Sequence, residues 1–254
     1  MIELILENSQ SQYKSKSQQA RVMTENWAQK NLYCPICGND YINHFENNRP
    51  VADFYCPICQ SEFELKSKEN QLILPKKIVN GAYDTLIKRI SDTNNPDLLY
   101  LTHKNFQVQN LILIPKFFFT ETIIEKRKPL ADTARRAGWV GSNIEIQKVP
   151  EIGKIHLIKN QRIIDKQTVL SIYRKAKPLD TRNLDSRGWL LDTLFFVEKL
   201  NQEFTLKQMY AFEEVLAKLH PNNQNVKAKI RQQLQQLRDK GFISFDGHGR
   251  YSKI

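Results

Sequence analysis

All four cysteines of this chain fall between positions 34 and 59, as Cys34-Pro-Ile-Cys37 and Cys56-Pro-Ile-Cys59. No other feature restricts the fold as tightly. Two residues between sulfurs is the spacing at which a turn directs two thiolates at one point, and the 18 residues between the pairs match a zinc ribbon. Two matching pairs weigh against a redox Cys-x-x-Cys motif. Disulfides are disfavoured because Met1-Ile-Glu-Leu-Ile-Leu-Glu7 does not read as a secretory leader, having no basic start and acids within its apolar run. A cytoplasmic location is expected. Cys34, Cys37, Cys56 and Cys59 should therefore hold one Zn²⁺, and since four sulfurs leave no position for water, that zinc should be structural.

The rest of the chain must supply a core around this ribbon. Hydrophobic residues make up 41% and charged residues 26%, the balance of a folded chain, and 254 residues suffice for a larger and a smaller domain. Ala20, Met23, Trp27 and Ala28 recur at helical spacing, predicting a helix over 17–30. Turns are expected at Gly38-Asn39-Asp40 and Asn47-Asn48. Phe63-Glu64-Leu65-Lys66 alternates as a half-buried strand, and 80–91 reads as a second helix. Leu98 to Thr102 and Leu111 to Ile114 are continuous apolar runs expected as central strands. Phe117 to Phe119 and Ile155 to Ile158 are expected as further strand. This order points to a mixed α/β (α+β) layer domain.

From Pro178 to Asp185 the sequence turns polar, which places a linker there. Three helices are expected beyond it, over 187–200, 206–219 and about 225–240, with Thr205 and Asn222 or Asn223 as N-caps and Gly241 as C-terminal stop. A hairpin of 242–245 and 250–252 should follow, completing the layout of a winged helix-turn-helix. The expected domains are thus 1–181 and 182–254.

Lys and Arg number 38 against 27 Asp and Glu, for a net charge of +11, which favours a polyanionic partner and nucleic acid over a membrane surface. No stretch approaches the roughly 18 apolar residues that span a bilayer. In such a chain, Asp53 followed by Glu64-Leu65-Lys66 gains meaning. Residues two apart on a strand share a face, so Glu64 and Lys66 project together while Phe63 and Leu65 pack inward. If Asp53 lies on the neighbouring strand, two carboxylates and an ammonium converge. Carboxylates are hard ligands for Mg²⁺, which activates water and polarises a phosphodiester, and Lys66 can orient that water or stabilise developing charge. Asp53 stands three residues before Cys56, so the zinc would brace the backbone that presents it.

These residues carry a family resemblance. Phe45-Glu-Asn-Asn-Arg-Pro-Val-Ala-Asp53-Phe-Tyr-Cys56, Glu62-Phe-Glu64-Leu-Lys66-Ser-Lys68, Ala134-Arg135-Arg136-Ala137-Gly138-Trp139 and 230–241 closely resemble the DpnI-like, methyl-directed type II restriction endonucleases of the Dam-replacing family, over essentially the whole chain. The resemblance implies a PD-(D/E)xK nuclease domain followed by a winged helix. It also implies Mg²⁺-dependent cleavage of double-stranded DNA at GATC containing N6-methyladenine. Asp53, Glu64 and Lys66 match the family's catalytic positions, with Asp53 and Glu64 as magnesium ligands, and the four cysteines match its zinc ligands. Trp139 matches an aromatic that in the family lies near the methylated adenines. Two residues separate Pro50 from Asp53 where the general PD-(D/E)xK pattern has none, a departure the DpnI-like sequences share. The loop after Lys66, 69–79, departs more.

An N6-methyl adds apolar surface in the major groove, against which a flat ring such as Trp139 can pack for about 0.8 kcal/mol. One methyl is too little for strict dependence, so two readings of the site are expected. Arg135 and Arg136 read as phosphate contacts. In the last helix Asn225, Lys227, Lys229, Arg231, Gln232 and Gln235 are the amide and basic side chains that reach bases and phosphates, and Arg250 on the wing is a phosphate or minor-groove candidate. Histidines 44, 103, 156 and 220 read as structural or surface residues. The expected product has 5′-phosphate and 3′-hydroxyl ends, and the enzyme is expected to be a monomer. Two rival readings remain: a zinc-ribbon and winged-helix transcription regulator, which leaves Asp53, Glu64 and Lys66 without a role, and a repair nuclease indifferent to methylation.

Overall fold

The structure, a computed structural model, describes residues 2–7, 15–46 and 51–254. The expected Asn47-Asn48 turn and Pro50 lie outside these. In chain order the elements are α1 (Lys16–Asn31), β1 (Asn43–His44), β2 (Phe54–Tyr55), β3 (Glu62–Glu69), β4 (Ile78–Ala82), α2 (Tyr83–Ser91), β5 (Asp97–Lys104), β6 (Gln107–Ile114), β7 (Ile124–Lys126), β8 (Gly141–Ile144), β9 (Ile155–Lys159), β10 (Arg162–Ile163), α3 (Lys166–Ala176), α4 (Leu184–Glu198), β11 (Glu203–Thr205), α5 (Leu206–Tyr210), α6 (Glu213–Leu219), α7 (Val226–Asp239), β12 (Ile243–Gly247) and β13 (Arg250–Lys253). The class is mixed α/β, as the sequence indicates. The chain forms two compact units, each assembled from three stretches. The first comprises Met1–Pro75, Asn94–Lys116 and Ile152–Lys177, the second Lys76–Thr93, Phe117–Glu151 and Pro178–Ile254.

The first unit is built on a seven-stranded sheet in the order β1-β2-β3-β5-β6-β9-β10. Its centre is where the apolar runs predict it: Leu98 to Leu101 on β5 and Leu111 to Ile114 on β6 are all at most 3% exposed. Strands buried on both faces have no need to alternate. Asn105 and Phe106, both at positive φ, close the β5–β6 hairpin, and such two-residue turns match the twist of the strands they join. β3 pairs antiparallel with β2 on one side and parallel with β5 on the other, with Glu64 opposite Leu98 and Lys66 opposite Tyr100. α1 covers this part of the sheet with Met23, Trp27 and Ala28, all buried. α3, which the sequence reading does not anticipate, packs Val169 into the same core.

The second unit joins a small sheet, β4-β8-β7, to the helices α2, α4, α5, α6 and α7 and a second three-stranded sheet, β11-β13-β12. The expected helix over 80–91 begins only at Tyr83, because Asn80 and Ala82 pair with Ser142 and Gly141 of β8. Phe117 to Phe119 are buried as expected, but Phe117 and Phe118 lie in a 3-10 turn and none of the three is in a strand. Pro115 just before them has no N–H to extend a ladder. The expected helix over 206–219 is two helices, since Ala211 and Phe212 donate to carbonyls three residues back and Phe212 stacks on Phe196 at 4.6 Å. Thr205 caps α5 in a capping box with Gln208. α7 has Asn225 as its N-cap residue without a side-chain cap bond, in place of Asn222 or Asn223. Gly241 stops α7 at φ +77°, as expected.

Residues 119–122 pack on α4: Arg187 donates to the Phe119 carbonyl and Thr122 to Asp192. The compact unit that contains α4 to β13 therefore also takes in residues on the N-terminal side of the expected 181/182 boundary.

Candidate active site and metal centre

The two Cys-Pro-Ile-Cys segments fold alike. Gly38 donates to the Cys34 carbonyl and Cys34 to the Asn39 carbonyl; Gln60 donates to Cys56 and Cys56 to Ser61, all at 2.8–2.9 Å. The residue directly after each second cysteine adopts positive φ, Gly38 at +85° and Gln60 at +58°. A Cβ on Gly38 would also meet Leu170 Cδ1 at 2.9 Å, so the leucine methyl would have to shift to admit a side chain there, beyond the conformational demand of the positive φ. The result brings all four sulfurs within 4.8 Å of one another, with Cys34–Cys59 and Cys37–Cys56 at 3.6 Å. A tetrahedral zinc with Zn–S of about 2.3 Å separates sulfurs by about 3.8 Å, close to the spacing seen here, so the four cysteines could hold a zinc ion. Burial pushes the Cys34 and Cys56 thiols up, while Cys59, despite burial, is drawn below the ordinary thiol value by hydrogen bonds from Ser61.

Cys56 follows directly on β2, and this fixes Asp53 one residue before that strand. The Asp53 N–H donates to the Phe63 carbonyl at 2.8 Å, continuing the β2–β3 ladder, and its carboxylate Oδ2 accepts from the Leu65 N–H at 2.7 Å. Glu64 and Lys66 then flank that amide on the same face of β3, joined by a 2.7 Å ion pair. Phe63 is fully buried and Leu65 partly buried against the core, as alternation requires. The three residues singled out in the sequence thus stand together on adjoining backbone.

α1 adds groups that the sequence reading does not single out. Glu25 is 8% exposed, and its carboxylate accepts from Arg21 Nε at 2.5 Å and lies 3.4 Å from His44 Nε2. The same guanidinium reaches Asp53 Oδ1 through Nη2 at 3.2 Å. Burial holds the Asp53 carboxyl above the usual carboxylate value. The Leu65 amide and Arg21 oppose this, and the negative charges of Glu25 and Glu64 reinforce it. The Arg21 guanidinium is raised by its hydrogen bond to Glu25. Three carboxylates and two basic side chains therefore share a partly buried surface, an arrangement with oxygen donors suited to a hard divalent cation.

In the second unit Trp139 is half-buried beside β8. Arg136 lies over its ring at 4.6 Å, and a Cβ on Gly141 would collide with it at 2.9 Å, so glycine admits the indole. Arg135 and Arg136 are exposed. On α7 the buried stripe is Val226, Ile230, Gln233, Leu234 and Leu237. The helical repeat puts Asn225, Gln232 and Gln235 opposite that stripe and exposed, with Lys227 and Lys229 on its two flanks. Arg231 is held by Tyr210 Oη at 2.7 Å and Lys227 by Glu213 at 3.3 Å. Arg250 is exposed where β13 leaves the wing turn.

A family model for DpnI, described as the Dam-replacing family, matches residues 2–182, and a second, the Dam-replacing HTH domain, matches 185–253. The chain belongs to the Dam-replacing family. Its helix-turn-helix domain, made of α4 to β13, binds DNA, and among the described residues no helix is long and apolar enough to cross a membrane. Of the candidate residues, this Dam-replacing chain presents Asp53, Glu64, Lys66 and the four cysteines in its first unit. Trp139, Arg135, Arg136, Asn225, Lys227, Lys229, Arg231, Gln232, Gln235 and Arg250 belong to the second.

The sequence reading misses Arg21, Glu25 and His44. Arg21 and Glu25 stand four apart on a polar helix, a spacing that ordinarily marks a solvated ion pair. His44 is read as structural, and its place beside Glu25 follows only from how β1 sits against α1. The burial of Glu25 comes from the packing of α1 on β3, which no local pattern reports.

Proposed function

We propose that this chain is a methylation-dependent type II restriction endonuclease with a PD-(D/E)xK core. It hydrolyses double-stranded DNA at GATC containing N6-methyladenine and leaves 5′-phosphate and 3′-hydroxyl ends. The observation that carries the reading is the proximity of Asp53, just before β2, to Glu64 and Lys66 on the adjoining strand β3 in a chain of the Dam-replacing family.

Asp53 Oδ1 and Glu64 would hold Mg²⁺, which when bound supplies Lewis acidity toward the phosphate and lowers the pKa of water. The Leu65 amide fixes Asp53 by its other oxygen, so the carboxylate presents a defined edge. Lys66, beside Glu64, is placed to orient the attacking water and to stabilise charge on the phosphate. The cysteine cluster anchors the chain directly after β2 and, with a structural zinc bound, would keep Asp53 in register with β3. Asn225, Gln232 and Gln235 are exposed for base edges, and Lys229, half-buried at the edge of the α7 stripe, is the candidate for phosphate. Trp139 offers a flat apolar face to a methyl group, with Arg135 and Arg136 beside it for the backbone. A monomer suffices for this chemistry.

The test is cleavage by the zinc-loaded protein, with Mg²⁺, of the same plasmid with and without adenine methylation at GATC. Cutting of methylated DNA alone supports the proposal. Binding without cutting supports the transcription regulator, and cutting of both substrates supports the methylation-indifferent nuclease. Asp53→Ala should still bind methylated duplex and fail to cut it.

A further inference from the structure

The nuclease reading gives roles to Asp53, Glu64 and Lys66 and leaves Arg21 without one. Both candidate cation ligands are already covered by a basic side chain: Glu64 by Lys66 at 2.7 Å, Asp53 Oδ1 by Arg21 at 3.2 Å. Arg21 is not a loosely held surface residue. Although its side chain is 59% exposed, Glu25, with a side chain only 10% exposed, accepts from Nε, so the guanidinium is anchored at one edge and offers Nη2 from the other. Fork geometry of this kind lets arginine release one acceptor while keeping its second. Asp53 Oδ2 is tied to the Leu65 amide, which leaves Oδ1, the oxygen Arg21 occupies, as the edge open to a cation.

The charges point the same way. Glu25, Asp53 and Glu64 outnumber Arg21 and Lys66 by one. A divalent cation reverses the balance to a single positive charge, which one phosphodiester neutralises.

We infer that Arg21 is the resident cation of the metal-free site: it sits on Asp53 Oδ1, yields that oxygen to a divalent cation, and turns its freed N–H groups to the scissile phosphate while Glu25 keeps it in place. Arg21 is then a competitor for the metal and a partner for the DNA. This rests on the nuclease reading, since it takes Asp53 as a metal ligand.

The two roles have opposite signs, and that makes them testable. Ca²⁺ binding to the full-length, zinc-loaded protein is measured by titration calorimetry without DNA for the natural chain, Arg21→Gln and Asp53→Asn. Binding of a methylated GATC duplex is measured in Ca²⁺ across a range of salt. Arg21→Gln should bind Ca²⁺ about three- to tenfold more tightly, and the ratio should persist at 0.5 M KCl, where the distant field of an exposed charge is screened. The same variant should bind the duplex more weakly, with the slope of log K against log salt shallower by about 0.9, the loss of one phosphate contact. Unchanged or weaker Ca²⁺ binding by Arg21→Gln, a ratio that collapses to one at high salt, or an unaltered salt slope overturns the inference. If Asp53→Asn binds Ca²⁺ as the natural chain does, the metal reading itself fails. Zinc content and circular dichroism of each variant confirm that it is folded.

Discussion

Asp53 does two separable things, and a pair of substitutions separates them. One oxygen accepts from the partly buried Leu65 amide at 2.7 Å, a structural bond, while the other faces Arg21 and, on the proposed reading, the cation. Asp53→Ala removes both. Leaving an amide unpaired in a partly buried site costs about 1–3 kcal/mol, which for a chain of this size lowers the melting midpoint by roughly 2–10 °C. Asp53→Asn keeps an acceptor for Leu65 and removes a charge that burial and its acidic neighbours disfavour. Its amide nitrogen then faces the Arg21 guanidinium, which is exposed enough to turn to water. Asn should therefore match or exceed the natural chain in stability. Both variants should lose cleavage by about 10³-fold or more, as expected on removing a group that stabilises the transition state through the metal. Thermal unfolding and amide hydrogen exchange at Leu65, beside a nicking assay on methylated plasmid, read the three quantities. If Ala and Asn lower stability equally, or if the Leu65 amide is as protected in Asp53→Ala as in the natural chain, the assignment of Oδ2 to a structural bond is wrong.

Further outcomes follow from the same geometry. The Asp53 carboxyl lies above its ordinary value of 3.8, so the folded state binds more protons than the unfolded one between those two values. Stability should fall as pH rises through that window, and Asp53→Asn should flatten the fall in pH-dependent denaturation. At Mg²⁺ well below saturation the acid limb of cleavage should also lie above the ordinary aspartate range and move down as Mg²⁺ is raised, since proton and cation compete for Asp53. Chelation of zinc, or Cys56→Ser, should abolish cleavage while exchange protection persists in α4 and α7; equal loss of protection everywhere would contradict a local role for the cysteine cluster. Gln232→Ala should weaken methylated-duplex binding by about 1–3 kcal/mol with an unchanged salt slope, whereas Lys229→Ala should reduce the slope by about 0.9; the reverse pattern would exchange their roles.

The parts legible in the sequence are those dictated by local chemistry. Four thiolates around one metal demand a fixed spacing, and Cys34, Cys37, Cys56 and Cys59 show it without any knowledge of the fold. Alternation on Phe63 to Lys66 discloses a strand because one of its faces is buried, and Leu98 to Leu101 discloses another because both are. Short, polar strands give no such sign. β7 is Ile124-Glu-Lys126 and β8 is Gly141-Ser-Asn-Ile144, sequences that become strands only because β4 and each other are there to pair with. Glu25 is hidden for a related reason. Its partner four residues away is satisfied on the helix surface, and its role depends on a β3 lying beneath that helix. The break at Ala211 and Phe212 follows from Phe212 turning to stack on Phe196, a contact distant in sequence.

β3 and β5 are the parallel neighbours in the large sheet, and parallel neighbours require the chain to leave the sheet and come back. Here the excursion, with β4 and α2, is spent in the second compact unit, and the stretch after β6 does the same before returning as β9. The two family segments follow one another in sequence, yet the chain passes between the two compact units five times. A break at 182 would strand β4, β7 and β8 without the α4 groups that receive Phe119 and Thr122. During synthesis neither body can close early: the first waits for α3, and the second for the last strand of the chain. A cut at the family border would divide the second unit, so the proposed cutting and reading roles are expected to be inherited and lost together.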